Sequence, residues 1–338
     1  MTARALIVQT SFIGDTVLTT PLIARLAGRA TVDVVATPTS APLLENNPSI
    51  DQLIVYDKRG ADRGVSGFVR LGSRLRQRRY NRAYLAQGSL RSAALVLAAG
   101  IRERVGFQTS AGRRLYTERV PYIENDHHAA RLLRLAGGTN GSLPRPRVYP
   151  GAAEREAVDA LLRGAAALDA PFIALAPGSV WATKRWPHYA DLAKELGERL
   201  VIVGSGADRE LAAQIVSDVG ARAIDATGQL SLLASAELIG RASVLVTNDS
   251  APLHLASAMQ TPTVAIFGPT VPEFGFGPLA PRSIVLGLGT LACRPCDRHG
   301  PQRCPLGHWR CMREITPRQV ATAVQQLVAQ PPRPTSSR

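Results

Sequence analysis

Aromatic residues make up only 5% of this 338-residue chain, and no cysteine occurs before Cys293. So few aromatics leave little with which to stack bases, which argues against a nucleic-acid partner despite a sequence pI of 10.6. Four cysteines confined to residues 293–311 exclude a disulfide framework built from scattered pairs. No apolar run approaches the ~18–20 residues of a membrane-spanning helix. The opening MTARALIVQTSFIGD has too short an apolar run for a signal peptide, so a cytoplasmic chain is expected. No G-x-G-x-x-G follows the first apolar run, which disfavours a nicotinamide dehydrogenase. A G-x-S-x-G elbow is also missing, and Ser250 and His254 on one helical turn do not assemble a hydrolytic triad.

What is present reads as two α/β domains. The chain is 45% hydrophobic and 20% charged, enough apolar material for two ordinary cores. ALIVQ (5–9), VDVVAT (32–37), QLIVY (52–56), RAYLAQ and RERVGF read as strands, and helical patterns separate them. GGTNGSLPRPRVYPG (137–151) reads as a linker. Beyond it the alternation restarts with FIALAPG, LVIVGSG, AIDATG, VLVTND and TVAIFGP as strands, and a closing helix covers about 317–329. The expected domains are 1–150 and 151–330, with 331–338 a tail. Ligands of open parallel sheets bind beyond the carboxyl ends of the strands, so two such domains are expected to place a substrate cleft between them.

Charge is unevenly spread. The formal net charge is +14, and residues 58–119 hold Lys58 and fourteen arginines against Asp62, Glu103 and Glu118, a local +12. Such a segment attracts phosphates, whether on a substrate or on an anionic lipid surface.

The stretches that carry chemistry follow predicted strands. TSFIGDTVLTTPL (10–22) sets one glycine, Gly14, beside an acid, Asp15, where a phosphate loop would have several glycines. APGSVWATKRWP (176–187) offers small residues, then Thr183 and Lys184, a set suited to a diphosphate. VGSGADREL (203–211) gives strand, G-x-G and helix, with Asp208 placed either to accept from a ribose or to cap the helix. In VTNDSAPLHLASAMQTPTVAIFGPT (246–270) a strand ends at Asp249 and Ser250, and a helix starts at once with Ala251 and Pro252. Helix N-termini bind anions, and His254 lies in the same first turn. Cys293, Cys296, Cys304 and Cys311 read as C-x2-C-x7-C-x6-C, open to a structural metal such as zinc, a reduced thiol-rich loop or a disulfide.

Three of these stretches together, TSFIGDTVLTTPL, PGSVWATKRWP and TNDSAPLHLASAMQTPTVAIFGPT, resemble glycosyltransferase family 9, the ADP-heptose:lipopolysaccharide heptosyltransferases. Within it the resemblance is to members that add the second heptose of the inner core. It implies a GT-B fold, two Rossmann-like domains facing across a cleft, with acceptor on the first and sugar nucleotide on the second. It implies inverting transfer without a catalytic metal or other cofactor. Asp15 would be the base, and Lys184 would contact the donor diphosphate. Asp208 would hold the ribose, and Asp249, Ser250 and His254 would line the phosphates. The family's glycine at the Asp-Ser turn is here Ala251, which still donates its N–H. The implied partners are ADP-heptose and heptosyl-Kdo2-lipid A, met at the cytoplasmic face of the inner membrane, where the basic segment gives a peripheral association. Gly14, Thr16 and Arg91 are the expected acceptor contacts. A different core position, or a GT-B enzyme using another nucleotide sugar, is the alternative expectation.

Overall fold

The computed structural model describes residues 3–138, 141–165, 168 and 170–329; the predicted tail at 331–338 lies outside the described residues. The chain divides into two compact units, Met1–Tyr149 and Pro150–Arg338.

The first unit runs β1 (Arg4–Gln9), α1 (Ile13–Ala27), β2 (Thr31–Ala36), β3 (Gln52–Val55), α2 (Gly64–Gln77), β4 (Arg82–Leu85), α3 (Leu90–Ala98), β5 (Glu103–Phe107), β6 (Glu118–Val120) and α4 (His128–Arg134). Its strands form one parallel sheet in the order β3-β2-β1-β4-β5-β6. Both faces of that sheet are covered. Ala5 and Ile7 of β1 enter one core with Leu22 and Ile23 of α1, while Leu6 and Val8 enter another with Leu71 and Leu75 of α2. Burial on both faces is why these strands read as continuous apolar runs. Pro21 lies inside α1, and the Thr20 hydroxyl donates to the Val17 carbonyl at 2.7 Å, the acceptor that a proline nitrogen leaves unused.

The second unit runs α5 (Ala152–Gly164), β7 (Phe172–Ala176), α6 (Tyr189–Glu195), β8 (Arg199–Ile202), α7 (Arg209–Val219), β9 (Ala223–Asp225), α8 (Leu232–Arg241), β10 (Val244–Asn248), α9 (Ala251–Met259), β11 (Thr263–Ile266), β12 (Ser283–Leu286), α10 (Arg310–Arg313) and α11 (Pro317–Ala329). Its parallel sheet has the order β9-β8-β7-β10-β11-β12. Numbered within each unit, both sheets therefore follow the doubly wound order 3-2-1-4-5-6. That order reverses between β1 and β4 in one unit and between β7 and β10 in the other, and such reversal points are where open α/β sheets hold ligands.

Candidate active site

In the first unit the loop after β1 turns directly into α1, with Phe12 in extended conformation ahead of the helix. This places Asp15 in the first helical turn, where the helix dipole favours a negative group. Ser11 Oγ donates to Asp15 Oδ2 at 2.6 Å, and His128 Nε2 from α4 lies 3.8 Å from Oδ1. The Asp15 side chain is 18% exposed, enough to meet a substrate hydroxyl. Gln87, just past β4, donates from Nε2 to Thr10 Oγ1 at 3.0 Å, so the loop sits at the β1–β4 reversal point.

Two cations border this mouth. Lys58 Nζ donates to the Thr10 carbonyl at 3.4 Å. Burial, then the neighbouring Arg59 and Arg91, lower its pKa below the usual lysine value. Arg91 donates from Nε to the Tyr56 hydroxyl at 2.6 Å, and its guanidinium lies over the Tyr56 and Phe68 rings. Among the expected acceptor contacts, Gly14 is half-buried and Arg91 exposed, but Thr16 differs. Its side chain is fully buried and its hydroxyl donates to the Phe12 carbonyl at 3.2 Å, so it braces the helix start and does not face an acceptor.

In the second unit Lys184 and Asp249 meet. Lys184 Nζ donates to Asp249 Oδ2 at 2.6 Å, with both side chains 10% exposed, and Thr270 Oγ1 donates to the same oxygen at 2.7 Å. This changes the role expected for Asp249. A carboxylate repels a phosphate, whereas here it fixes the ammonium that would attract one. Thr183, expected on the donor, is also used internally: its hydroxyl and backbone N–H donate to the Pro301 carbonyl.

The turn into α9 is different. Ser250 precedes the helix with no side-chain cap hydrogen bond: its carbonyl accepts from Leu253 N at 3.1 Å, but its Oγ is buried without a partner among the described residues. A capping role therefore does not account for it. Pro252 has no N–H and the Leu253 N–H is taken by Ser250, so the Ser250 hydroxyl and the Ala251 N–H are the donors this helix start offers an anion. His254 is buried in the same helix with its ring edge-on to Phe276 at 6.2 Å. Asp208 does form the capping turn: Oδ2 accepts from Ser205 N and Ser205 Oγ, each at 2.8 Å. Its carboxylate also lies hard against Gly178 and Gly204, where a side-chain carbon would collide within 3.0 Å.

Several residues that hold this mouth were not singled out in the sequence. Asn248, fully buried, donates to the Pro177 carbonyl at 2.8 Å and accepts from Trp186 N at 3.2 Å, tying β10 to the loop after β7. The cysteine-rich loop supplies the rest of the bracing. Ala182 N donates to Gln302 Oε1 at 3.1 Å, Gln302 Nε2 donates to the Val180 carbonyl at 3.0 Å, and His299 stacks on Trp181. Arg294 donates to the carbonyls of Phe267, Gly268 and Thr270, the loop whose threonine holds Asp249. One loop thus grips both sides of the Lys184–Asp249 pair.

The cysteines themselves are free thiols. Cys293 Sγ lies 3.8 Å from His308 Nε2, and Cys296 Sγ donates to the Cys293 carbonyl at 3.1 Å. Burial pushes the Cys311 thiol up to about 11, helped by Cys296. Burial also pushes Cys304 up, but N–H groups of Trp309, Leu306, His308 and Gly307 outweigh it and lower the thiol below its usual value. Among the described residues no group of three or more His, Cys, Asp or Glu is gathered so as to hold a metal ion, so a structural zinc, one of the three readings of this spacing, finds no formed ligand set. No helix among the described residues is long and apolar enough to cross a membrane.

Comparison with known proteins identifies the family. The family model "Glycosyltransferase family 9 (heptosyltransferase)" matches residues 68–307. The chain is 29% identical to lipopolysaccharide heptosyltransferase 2 of Escherichia coli (strain K12), over 97% of this chain and 99% of that protein. It is 26% identical to lipooligosaccharide heptosyltransferase 2 of Haemophilus influenzae, over 96% of this chain and 99% of that protein. Among solved structures, E. coli ADP-heptose lps heptosyltransferase II superposes with a TM-score of 0.80 at 27% identity, covering 96% of this chain and 98% of that chain. A family 9 glycosyl transferase from Veillonella parvula gives 0.86 at 24% identity, covering 96% and 97%. The two doubly wound sheets are thus those of a GT-B fold, and the chain belongs to glycosyltransferase family 9, the heptosyltransferases.

Proposed function

We propose that this enzyme transfers L-glycero-D-manno-heptose from ADP-heptose to heptosyl-Kdo2-lipid A in assembly of the lipopolysaccharide inner core. Full-length likeness to lipopolysaccharide heptosyltransferase 2 supports the substrate class. The observation that carries the chemistry is a division of labour between two sheet mouths. One presents a partly exposed carboxylate, Asp15, and the other a held ammonium, Lys184, beside a helix N-terminus with a spare hydroxyl, Ser250.

Inverting transfer needs a base on one face of the anomeric carbon and a departing diphosphate on the other. As the new C–O bond forms, the acceptor O–H bond breaks and its proton passes to Asp15. The old C–O electron pair leaves with ADP, whose growing charge faces Lys184, the Ala251 N–H at the start of α9 and the Ser250 hydroxyl. Asp249 and Thr270 act by holding Lys184. Asp208 accepts from the ribose with the oxygen not engaged by Ser205, and His254 lines the phosphate side. No step runs through a metal.

Acceptor phosphates and Kdo carboxylates suit Lys58 and Arg91, which flank the Asp15 loop. Exposed Val65 and Val69, one turn apart on α2 among Arg63 and Arg70, give that basic segment an apolar edge suited to an anionic lipid surface. A thermal-shift panel of ADP, UDP, GDP and NAD tests the donor. Stabilisation by ADP alone is expected, and a preference for UDP would overturn the donor assignment.

A further inference from the structure

The hydroxyl of Ser11 has one proton and two acceptors in reach: Asp15 Oδ2 at 2.6 Å and Gln9 Oε1 at 2.7 Å. It can serve only one at a time. Which way the Gln9 amide points is fixed by its other end. Thr19 Oγ1 donates to the Asp15 backbone carbonyl at 2.7 Å, so toward Gln9 it can only accept, and Gln9 Nε2 donates to it at 2.9 Å. Gln9 is fully buried and Thr19 nearly so, which locks Oε1 toward Ser11. The Ser11 backbone N–H, 3.2 Å away, keeps that oxygen satisfied when the hydroxyl turns elsewhere.

From this geometry we propose that Ser11 is a two-position proton switch for Asp15, set by Gln9; the proposal rests on Asp15 being the base. While Asp15 is ionised, the Ser11 O–H donates to Oδ2, a short charge-assisted bond that orients the carboxylate. When the acceptor O–H bond breaks and its proton arrives, the carboxylic acid donates from Oδ2 to Ser11 Oγ. Ser11 then turns its own proton to Gln9 Oε1. No electrons are exchanged with Ser11 or Gln9, and every polar group stays bonded in both states. Only the Ser11 hydroxyl turns during proton transfer, while the heavy atoms of Gln9, Thr19 and Asp15 keep their places, the property that gives a fixed polar site its catalytic value. Ser11 and Gln9 are positioning residues, and neither accepts the substrate proton.

The test is steady-state kinetics of the full-length enzyme with Ser11→Ala, Ser11→Thr, Gln9→Met and the Ser11→Ala/Gln9→Met pair. Ser11→Ala is expected to lower kcat about 10–100-fold, a fraction of what a whole general base supplies, with both KM values changed less than about threefold. Ser11→Thr, which keeps the hydroxyl, is expected to recover kcat to within about threefold of wild type. Gln9→Met is expected to lower kcat about 5–10-fold alone and to add nothing to Ser11→Ala, because the two act as one chain. Normal kcat in Ser11→Ala, or losses that multiply in the double variant, would overturn the switch. If Ser11→Ala does not fold, a Gln9→Met enzyme with unchanged melting temperature and unchanged kcat overturns it equally. Asp15→Asn separates the two levels. An active Asp15→Asn enzyme removes the base and the switch together, whereas an inactive one beside a normal Ser11→Ala removes the switch alone.

Discussion

Replacing Asp249 with asparagine leaves the Lys184 ammonium almost buried with no countercharge. The pair is close, at 2.6 Å, and both side chains are 10% exposed, so solvent screens it little. Removing one partner of a buried pair costs about 3–5 kcal/mol, against about 0–1 for a surface pair. For a unit of this size that lowers the melting temperature by about 6–20 °C. Replacing both residues, Lys184→Met with Asp249→Leu, removes the unpaired charge and is expected to restore most of that stability. Donor binding should not return with it. A charged hydrogen bond to phosphate contributes about 1.5–3 kcal/mol, so the double variant should bind ADP about 10–150-fold more weakly. Differential scanning calorimetry and titration calorimetry with ADP read the two quantities separately. Asp249→Asn with a loss below about 1 kcal/mol, or a double variant that binds ADP like wild type, would refute the reasoning.

Further predictions concern the bracing loop and the basic face. Arg294→Met removes donors to three carbonyls of the 267–270 loop and should raise donor KM about tenfold, with acceptor KM little changed, in initial-rate kinetics. Thiol labelling with iodoacetamide followed by mass spectrometry should modify Cys304 first and Cys311 last. Backbone N–H donors favour the Cys304 thiolate at lower pH, whereas burial holds Cys311 protonated until about pH 11. Val65→Asp/Val69→Asp should weaken sedimentation with anionic vesicles about tenfold, and wild-type binding should fall steeply between 50 and 300 mM salt, on the order of the screening change across that range.

Both sheets were legible because strands buried on two faces are short continuous apolar runs, and the helices between them carry apolar stripes. The sequence did not disclose β6, β12 or α4. The first two are short edge strands with exposed positions, and α4 is only a two-turn helix that begins inside the polar ENDHH stretch. At the sheet mouth of the second unit, Lys184 and Asp249 were expected from the sequence as separate phosphate contacts. That they hold each other depends on a pairing across 65 positions, which no local pattern encodes. Asn248 and Thr270 were hidden for the same reason: Asn248 is an ordinary polar residue at the end of β10 until the sheet order sets it beside the loop after β7, and Thr270 an ordinary loop threonine until it meets Asp249. Thr183 and Thr16 were named for hydroxyls that the fold uses internally, on Pro301 and Phe12. The cysteine spacing left a metal, a thiol-rich loop or a disulfide open, and the loop is tied to its surroundings by Arg294, His299, Gln302, the Pro301 carbonyl and the Cys296 N–H.

In the mechanism proposed above, Asp15 accepts the acceptor proton while the second unit alone holds ADP. Single-turnover transfer by Asp15→Asn, measured beside its ADP affinity, tests it most directly. The rate is expected to fall about 10²–10⁴-fold with an unchanged Kd for ADP. Transfer within a few-fold of wild type, or a loss of ADP binding that matches the loss of rate, would contradict it.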